Sequence, residues 1–420
     1  MRVLFLSAMD EAGSMTPLPF GLACVAAATE RAGHEVQLLT LPSTIDLKGR
    51  IRETIQRQRP DVIGISVRNI DDQNMTSPQF LLENSKNVVA TCRATSPATI
   101  VLGGAGYSIF PESALAYLGV DMGIQGEGEV AFPALLSWIE GGKEGPAPPG
   151  VYLATTPPTP RACVADLDAL PLPDPSLWLH SELATARIPV QSRRGCPLDC
   201  IYCSTSIIEG RPVRRRSPAA VVRWLKEVRQ CGFRDFYFVD NTFNVPLAYA
   251  KELCRKIIAA ELRLDWWAII YPKWVDPELV ELMARAGCTQ VSLGFESGSE
   301  PVLRQLNKQF NCAEVAAIAA MFRDAGVKRN GFLLLGAPGE TRDSVEESLA
   351  FADGMQLDAL KVTVGLRIYP QTPLARMAVA HGLTSPDDDL LFPRFYLTPT
   401  LRDWLPARIA ERDSQPPTTE

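Results

Sequence analysis

Short apolar runs alternate with longer amphipathic stretches over the first 140 residues of the chain. A helical pattern of apolar positions covers residues 18–32, between the first two of these runs. Strands that alternate with helices are typical of a parallel sheet with helices on both faces. The pattern therefore predicts a doubly wound, Rossmann-like α/β domain at residues 1–140. The predicted strands cover residues 3–7, 35–39, 61–66 and 99–102.

A segment rich in proline and glycine then interrupts the pattern. It begins at Gly141-Gly142 and continues through the run Pro157-Pro158-Thr159-Pro160. Proline and glycine at this density break regular elements and favour turns. We predict a linker over residues 141–187 that separates two domains.

The alternation of strand and helix patterns resumes over residues 188–400. Two helix starts carry a capping side chain directly before a proline, at Ser217-Pro218 and at Asp276-Pro277. Six strand-helix units predict a partial (β/α)6 barrel of the TIM type, followed by a short tail at residues 401–420. The six predicted strands cover residues 189–193, 236–240, 267–271, 290–295, 331–335 and 361–366.

Composition limits the classes of function. The chain has 420 residues, of which 46% are hydrophobic, enough to bury the cores of two domains. A net charge of −6 argues against nucleic-acid binding, and the basic segment 211–216 is either a solvated loop or a clamp for anionic groups. No apolar run approaches the length of a membrane span, and the first strand does not resemble a signal peptide. Because the cysteines outside one motif show no pairing pattern, we expect a cytoplasmic protein.

Three cysteines form the one motif with clear chemistry. Cys196, Cys200 and Cys203 have the spacing C-x3-C-x2-C. Iron–sulfur clusters that only transfer electrons are held by four protein thiolates. Three cysteines therefore predict a [4Fe-4S] cluster that keeps one iron open for another ligand, which makes them both metal-binding and catalytic candidates. Buried structural cysteines are the alternative interpretation.

The motif resembles that of the radical S-adenosylmethionine (SAM) superfamily. The sequence Arg194-Gly195-Cys196-Pro197 precedes it, and Tyr202 stands directly before the last cysteine. The resemblance implies that SAM binds the open iron and is cleaved to a 5′-deoxyadenosyl radical, with electrons from an external flavodoxin or ferredoxin. Polar residues at the carboxyl ends of barrel strands are then candidate SAM contacts, although any one of them could instead be a helix cap or turn former. The candidates are Tyr202, Asp240, Asn241, Glu296 and Ser297.

The amino-terminal domain carries a second set of small and polar residues after its strands. The loop after the first strand lacks a G-x-G-x-x-G sequence, so a dinucleotide-binding domain is disfavoured. Ser66 after the third strand and Gly103-Gly104 after the fourth resemble the cobalamin (B12)-binding domains of B12-dependent radical SAM proteins. Glycines at this edge permit close approach of a ligand to the backbone. The implied cobalamin contacts are Ser66, Arg68, Asn69, Gly103, Gly104, Gly106, Tyr107, Gly126 and Glu127.

The lower face of cobalt is predicted to have no histidine ligand. The Asp-x-His-x-x-Gly loop of other B12 domains is absent after the first strand, and the chain has only the histidines His34, His180 and His381. The resemblance therefore implies base-off cobalamin. Arg68 replaces the leucine of the family's Ser-x-Leu segment, and its guanidinium stays protonated and cannot bind cobalt. We include Arg68 among the catalytic candidates because it would keep the lower position empty; the alternative is a salt bridge to Asp71 or Asp72.

These resemblances predict an enzyme, a cobalamin-dependent radical SAM C-methyltransferase. It would act on a small-molecule or natural-product substrate through methylcobalamin and a 5′-deoxyadenosyl radical. Cyclisation or ring rearrangement and polar methylation of an aromatic ring use the same cofactors and stay open as alternatives. A methylthiotransferase is disfavoured because no second cysteine cluster is present, and a corrinoid carrier or sensor would not need the cysteine motif. Six aromatic residues are candidates for a substrate pocket, with the core as the favoured interpretation: Trp266, Trp267, Trp274, Phe392, Phe395 and Tyr396.

Overall fold

The chain forms two compact units in a computed structural model of the protein. The structure describes residues 1–8, 18–41, 46–155, 161, 163–178 and 187–414. Within these ranges, unit 1 comprises residues 1–72, 80–197 and 204–239, and unit 2 comprises residues 73–79, 198–203 and 240 onward. The loop after the first strand from residue 9, the run Pro157–Pro160, His180 and the tail from residue 415 lie outside the described residues.

A six-stranded sheet forms the first part of unit 1. Its strands are β1 (Arg2–Ala8), β2 (Glu35–Leu41), β3 (Val62–Ser66), β4 (Thr99–Gly103), β5 (Met122–Ile124) and β6 (Val151–Leu153). They follow one another in the order β2-β1-β3-β4-β5-β6, and only β6 runs antiparallel to its neighbour. The sheet therefore continues past residue 140, into the segment predicted to be a linker. The helices are α1 (Phe20–Arg31), α2 (Leu47–Gln58), α3 (Leu82–Thr95), α4 (Ala105–Ile109), α5 (Pro111–Leu118) and α6 (Gly128–Glu140).

Apolar side chains of these strands and helices form the core of this sheet. Phe5 of β1 and Phe132 of α6 are both buried, with ring centroids 4.8 Å apart. A Cβ atom on Gly64 would lie 2.6 Å from the Phe5 ring, so glycine at this position makes room for the aromatic side chain. The continuous apolar runs of β1 and β3 are explained by burial in this core.

Six strands form the second sheet, as the alternation of patterns predicted. In chain order, β7 (Ile188–Val190), a short ribbon of β8 (Arg193–Arg194) and β9 (Arg214–Arg215), and β10 (Asp235–Phe238) belong to unit 1. The strands of unit 2 are β11 (Asp265–Ile270), β12 (Cys288–Glu296), β13 (Lys328–Leu335) and β14 (Ala359–Val364), and β15 (Leu366–Arg367) pairs with β16 (Phe395–Tyr396). The order in the sheet is β14-β13-β12-β11-β10-β7.

Helices separate these strands along the chain. Two of them begin at the predicted caps: Ser217 Oγ accepts a hydrogen bond from Ala220 N at 3.2 Å, and Asp276 Oδ1 accepts from Leu279 N at 2.9 Å. Proline follows each cap at the first helical position, where no backbone donor is needed. The helices are α7 (Thr205–Glu209), α8 (Pro218–Gln230), α9 (Leu247–Ala259), α10 (Pro277–Arg285), α11 (Glu300–Gln305), α12 (Cys312–Asp324), α13 (Arg342–Gly354), α14 (Pro373–Ala380) and α15 (Leu405–Ser414).

Part of the predicted linker 141–187 packs within unit 1. It contains two short 3-10 turns, Leu167–Ala169 and Pro175–Trp178. Arg216 donates hydrogen bonds to the carbonyl oxygens of Leu167 at 2.6 Å and Leu170 at 3.0 Å. Over the described residues, no helix combines the length and the apolar composition that crossing a bilayer would require.

Candidate active site

The arginine that precedes the first motif cysteine is buried in an ion pair. Arg194 at the end of β8 donates from both terminal nitrogens to the two carboxylate oxygens of Glu129, at the start of α6. The two side chains are 7% and 3% exposed. Burial alone would lower the pKa of Arg194, but the Glu129 carboxylate outweighs it and holds that pKa above its ordinary value. The pair therefore stays charged and fixes the backbone that leads to Cys196.

A second buried ion pair joins Glu127 and Arg214 in the same unit. Val164 N also donates to Glu127 Oε2 at 2.7 Å, and Arg214 donates to the Val164 carbonyl oxygen at 3.0 Å. Glu127, a predicted cobalamin contact, thus has protein groups as its partners. In the basic segment 211–216, Arg214 and Arg216 bind a carboxylate and backbone carbonyls inside unit 1, which neither interpretation included, whereas Arg211 and Arg215 are exposed.

The segment around Cys196 is a tight turn. Cys196 is buried, and its backbone N–H donates to the Gly210 carbonyl oxygen at 3.1 Å. The preceding Gly195 has φ +90° and donates to Glu209 Oε2 at 2.9 Å, and a Cβ at Gly195 would overlap the carbonyl of Pro212. Only glycine satisfies both constraints. This explains in physical terms why glycine precedes the first cysteine of the motif.

The other two cysteines lie in unit 2, beside a buried cluster of three polar side chains. Tyr202 Oη donates to Glu296 Oε1 at 2.8 Å, and Lys308 Nζ donates to Tyr202 Oη at 2.9 Å and lies 3.3 Å from Glu296 Oε1. Burial alone would lower the pKa of Lys308, but Tyr202 and Glu296 raise it well above its ordinary value. The structure thus brings Tyr202 and Glu296, two of the predicted SAM contacts, together around a buried cation.

Two opposing effects act on the thiol of Cys200, and the net result is a raised pKa. Burial raises the pKa of Cys200, whereas Lys308 acts in the opposite direction and favours the thiolate. Within the described ranges, no three His, Cys, Asp or Glu side chains converge as ligands of a single metal ion do. A four-iron cluster takes one thiolate per iron, so its ligands need not converge on one point, and the donor set of Cys196, Cys200 and Cys203 fits such a cluster.

Lys308 is a functional candidate that the sequence analysis missed. It follows α11 in a polar stretch without a spacing that marks it, and its contact with Tyr202 joins residues 106 positions apart. Only the packing of the cysteine loop against β12 makes the contact visible.

The remaining predicted SAM contacts differ in their surroundings. Asp240 is buried and Asn241 is half-buried, both directly after β10. Ser297 is fully buried, and its Oγ lies 2.9 Å from Ser348 Oγ and accepts from Ser299 N at 3.1 Å. The hydrogen bonds of Ser297 therefore stabilise the turn after β12, which is a structural role.

At the carboxyl edge of the first sheet, three predicted cobalamin contacts come together. The strand register pairs Ser66 with Gly103, and Gly104 follows with φ +102°. A Cβ on Gly104 would lie 2.5 Å from the Val67 carbonyl oxygen, and one on Gly106 would lie 2.9 Å from that of Arg68. Glycine is required here because two backbone segments run side by side.

Two other predicted cobalamin contacts are engaged within unit 1. Tyr107 is fully buried, and a Cβ on Gly123 would overlap its ring, so the tyrosine packs in the core of the first domain. Gly126 has φ +85°, and its N–H donates to Ser108 Oγ at 2.9 Å. Both residues therefore have structural roles in the fold, which the resemblance did not indicate.

The polar loop after β3 begins with the exposed residues Arg68 and Asn69. None of the ion pairs among the described residues includes Arg68, so the alternative of a salt bridge to Asp71 or Asp72 is not formed. Residues 73–79 of the same loop pack within unit 2.

Glu340 is a buried carboxyl group that the sequence analysis did not place in a site. It follows β13, and its Oε2 accepts hydrogen bonds from the backbone N–H groups of Gly336 and Ala337, the latter at 3.0 Å. Oε1 has no partner among the described residues. Burial raises the pKa of this carboxyl from 4.5 to about 7, against the two hydrogen bonds, which lower it.

We expect Glu340→Gln to remove a part of the pH dependence of stability. Because the folded-state pKa of about 7 lies above the ordinary 4.5, the stability from the bound proton is present at low pH and is lost as the pH rises through about 7. Full loss amounts to about 3 kcal/mol. Urea denaturation between pH 5 and pH 8 should show a smaller fall in the free energy of unfolding for the variant. Equal slopes for both proteins would contradict the raised pKa.

Two family models match the chain one after the other. The B12 binding domain matches residues 13–136, and the Radical SAM superfamily matches residues 190–352. The two matches correspond to the first sheet and to most of the second, so the predicted fold class, a doubly wound domain followed by a partial barrel, is confirmed.

Two curated relatives match the chain over most of its length. An uncharacterised methyltransferase of Pyrococcus horikoshii is 25% identical, over 90% of this chain and 82% of its own length. Tryptophan 2-C-methyltransferase of Streptomyces laurentii is 24% identical, over 85% of this chain and 71% of its own length.

A solved structure shares the fold along nearly the whole chain. It is that of the radical S-adenosylmethionine methyltransferase TsrM from Kitasatospora setae with tryptophan and a SAM analogue bound, with a TM-score of 0.85. The match covers 99% of this chain and 89% of TsrM at 20% identity, which shows a common fold. With both family models in tandem and the cysteine loop intact, the chain combines a B12 binding domain with a domain of the Radical SAM superfamily.

Proposed function

We propose that this protein is a cobalamin-dependent radical SAM methyltransferase that acts on a small molecule. The observation that carries the proposal is the three-cysteine loop, whose second half packs against the Tyr202–Glu296–Lys308 cluster. The two relatives compared above bear the name methyltransferase, and they match at least 85% of this chain. A corrinoid carrier or sensor would not need a loop with these features.

We assign the cluster and SAM to the edge of unit 2 that holds Tyr202, Glu296 and Lys308. Cys196, Cys200 and Cys203 would bind the cluster. Asp240 and Asn241, which lie in the loop after β10, are the SAM contacts that we propose. When bound, the cluster and SAM supply an electron and a methyl or radical-forming group. Lys308 supplies a buried positive charge beside Cys200, which favours anionic groups in this region.

We assign cobalamin to the carboxyl edge of the first sheet, in the base-off form. Ser66, Gly103 and Gly104 lie together at that edge, and Arg68 has no ionic partner of its own among the described residues. His34 precedes β2 and therefore lies at the opposite, amino edge of the sheet, where its Nδ1 is 3.2 Å from the Met1 amino group. These placements support a cobalt without a histidine ligand and a lower face that Arg68 keeps free.

We further propose an external flavodoxin or ferredoxin as the electron donor and a cytoplasmic location. A cluster that reduces SAM needs a one-electron donor. The ten cysteines are all free thiols, as expected for a reducing compartment.

The proposal predicts that SAM turnover depends on cobalamin. The reconstituted protein should be incubated without oxygen with SAM and a strong reductant, with and without hydroxocobalamin, and the products quantified by mass spectrometry. We expect S-adenosylhomocysteine only when cobalamin is present, because methyl transfer from SAM requires an acceptor. Protein that binds cobalamin but turns over no SAM would instead be a corrinoid carrier or sensor.

The same experiment separates the alternatives within the family. S-adenosylhomocysteine together with 5′-deoxyadenosine supports radical methylation. S-adenosylhomocysteine alone, even with added substrate candidates, supports polar methylation, and 5′-deoxyadenosine alone supports a rearrangement or cyclisation.

A further inference from the structure

The structure separates the aromatic residues that the sequence left as one group. Trp266 in β11 is fully buried, whereas Trp274, four residues after the end of that strand, is 43% exposed. The favoured interpretation, that these aromatic residues belong to the core, is therefore wrong for Trp274. Large apolar side chains at the carboxyl edge of such a sheet are candidates for ligand contacts.

The segment that carries Trp274 is held in one conformation by neighbouring groups. Asn244 Nδ2 donates to the carbonyl oxygens of Tyr271 at 3.0 Å and Lys273 at 2.7 Å, and Asn244 Oδ1 accepts from Tyr271 N at 2.9 Å. Trp274 itself has φ +53°, a conformation that bulky side chains rarely adopt. Strain of this kind persists where the surrounding structure enforces it, often at ligand sites.

Three rings form what we term the aromatic platform: Trp274, Tyr271 and Phe310. The rings of Trp274 and Tyr271 are stacked, with centroids 5.8 Å apart and an interplanar angle of 27°. Tyr271 meets Phe310 edge-on at 5.0 Å, and its hydroxyl accepts from Gln309 N at 2.9 Å. Phe310 and the Gln309 N–H thus hold the Tyr271 ring in place. The stacked Trp274 ring lies partly in solvent. The indole N–H of Trp274 has no hydrogen-bond partner among the described residues, so it can serve a ligand.

The platform adjoins the candidate active site within unit 2. Lys308 Nζ lies 5.9 Å from the centroid of the Tyr271 ring and 5.8 Å from that of Phe310. The same ammonium group donates to Tyr202 Oη, next to Cys203 in the sequence. The two buried rings of the platform therefore lie beside the residues assigned to the cluster and SAM, and Trp274 is the part of the platform that is open to a ligand.

We propose that Trp274 stacks against a planar aromatic or heteroaromatic ring of the substrate. The inference rests on the proposed function, since it names the class of molecule that the methyltransferase accepts. An exposed, pre-stacked indole favours a flat ring over a saturated one, because its face provides both apolar area and a π-surface. SAM also contains a planar ring, its adenine, so the experiment must separate the two sources.

The experiment measures binding to the full-length protein by saturation-transfer NMR and thermal shift. The probes are L-tryptophan, L-phenylalanine and anthranilate, with the saturated L-cyclohexylalanine and cyclohexanecarboxylate as matched controls. At least one planar probe should bind the wild-type protein more tightly than its saturated counterpart. We expect about tenfold weaker binding in Trp274→Leu and a change within about threefold in Trp274→Phe, which keeps a ring.

Controls separate a binding effect from misfolding. Leu177→Ala removes another exposed apolar side chain, outside the platform, and should leave probe binding unchanged. Trp274→Phe retains a ring for stacking. If both variants melt within a few degrees of each other and only Trp274→Leu loses probe binding, the loss does not come from general instability.

Three results would overturn the inference. The first is equal binding of planar and saturated probes, and the second is probe binding that Trp274→Leu does not affect. The third is a loss of SAM affinity in Trp274→Leu as large as the loss of probe affinity, which would assign the platform to the adenine of SAM. Failure of the proposed function is a different result, seen in the wild-type protein as an absence of cobalamin-dependent S-adenosylhomocysteine.

Discussion

Cys200→Ala should lose the iron–sulfur cluster and with it SAM turnover, by about 1,000-fold or more. The remaining thiolates, Cys196 and Cys203, can hold only two of the irons, and the Lys308 ammonium beside position 200 then lacks the anionic ligand that it favours. Iron and sulfide content per chain, the electron paramagnetic resonance signal of the reduced protein, and S-adenosylhomocysteine formation measure the effect.

The matched control is Cys231→Ala. Cys231 directly follows α8 as its C-cap, is half-buried like Cys200, and lies outside the motif. It should retain the cluster and the turnover of the wild-type protein. Full iron content in Cys200→Ala, or loss of the cluster in Cys231→Ala, would show that the motif is not the cluster site.

Arg194→Met should lower the free energy of unfolding by about 3–5 kcal/mol. The variant leaves the Glu129 carboxylate without its cation in an environment where only 3% of the side chain is exposed. The cost comes from burying an uncompensated charge, so Arg194→Met combined with Glu129→Gln should recover more than half of the loss. Urea denaturation at pH 7 measures all three proteins.

An exposed ion pair provides the comparison. Arg285 lies 3.2 Å from Glu281 one helical turn away, and both side chains are more than half exposed. Solvent screens such a pair, so Arg285→Met should change stability by less than about 1 kcal/mol. If Arg194→Met were no worse than Arg285→Met, the buried pair would not be holding the cysteine segment in place.

The architecture could be predicted from the sequence because it depends on local patterns. Burial of β1 and β3 on one core requires apolar runs such as Val3–Ser7, and helix starts require caps such as Ser217 and Asp276, which lie within a few residues of the positions they stabilise. The cysteine spacing also expresses a local constraint, since one loop must supply all the thiolates. These features gave the two domains, the six strands of the second sheet and the family.

The roles of individual polar residues could not be predicted in the same way. Glu127, Ser297 and Tyr107 match family positions for cofactor contacts, yet each has structural partners in the fold. Conversely, Lys308 and Glu340 carry no motif, and their burial becomes apparent only when distant segments are packed.

The sequence by itself determined the order of the domains, the cluster loop and the absence of a histidine loop after the first strand. Only the tertiary structure decided which charges are paired inside the protein, as for Arg194 with Glu129, and which aromatic side chains face solvent, as for Trp274. The physical reason is that pattern and spacing reflect neighbours along the chain, whereas ion pairing, burial and pKa depend on groups brought together from positions tens of residues apart.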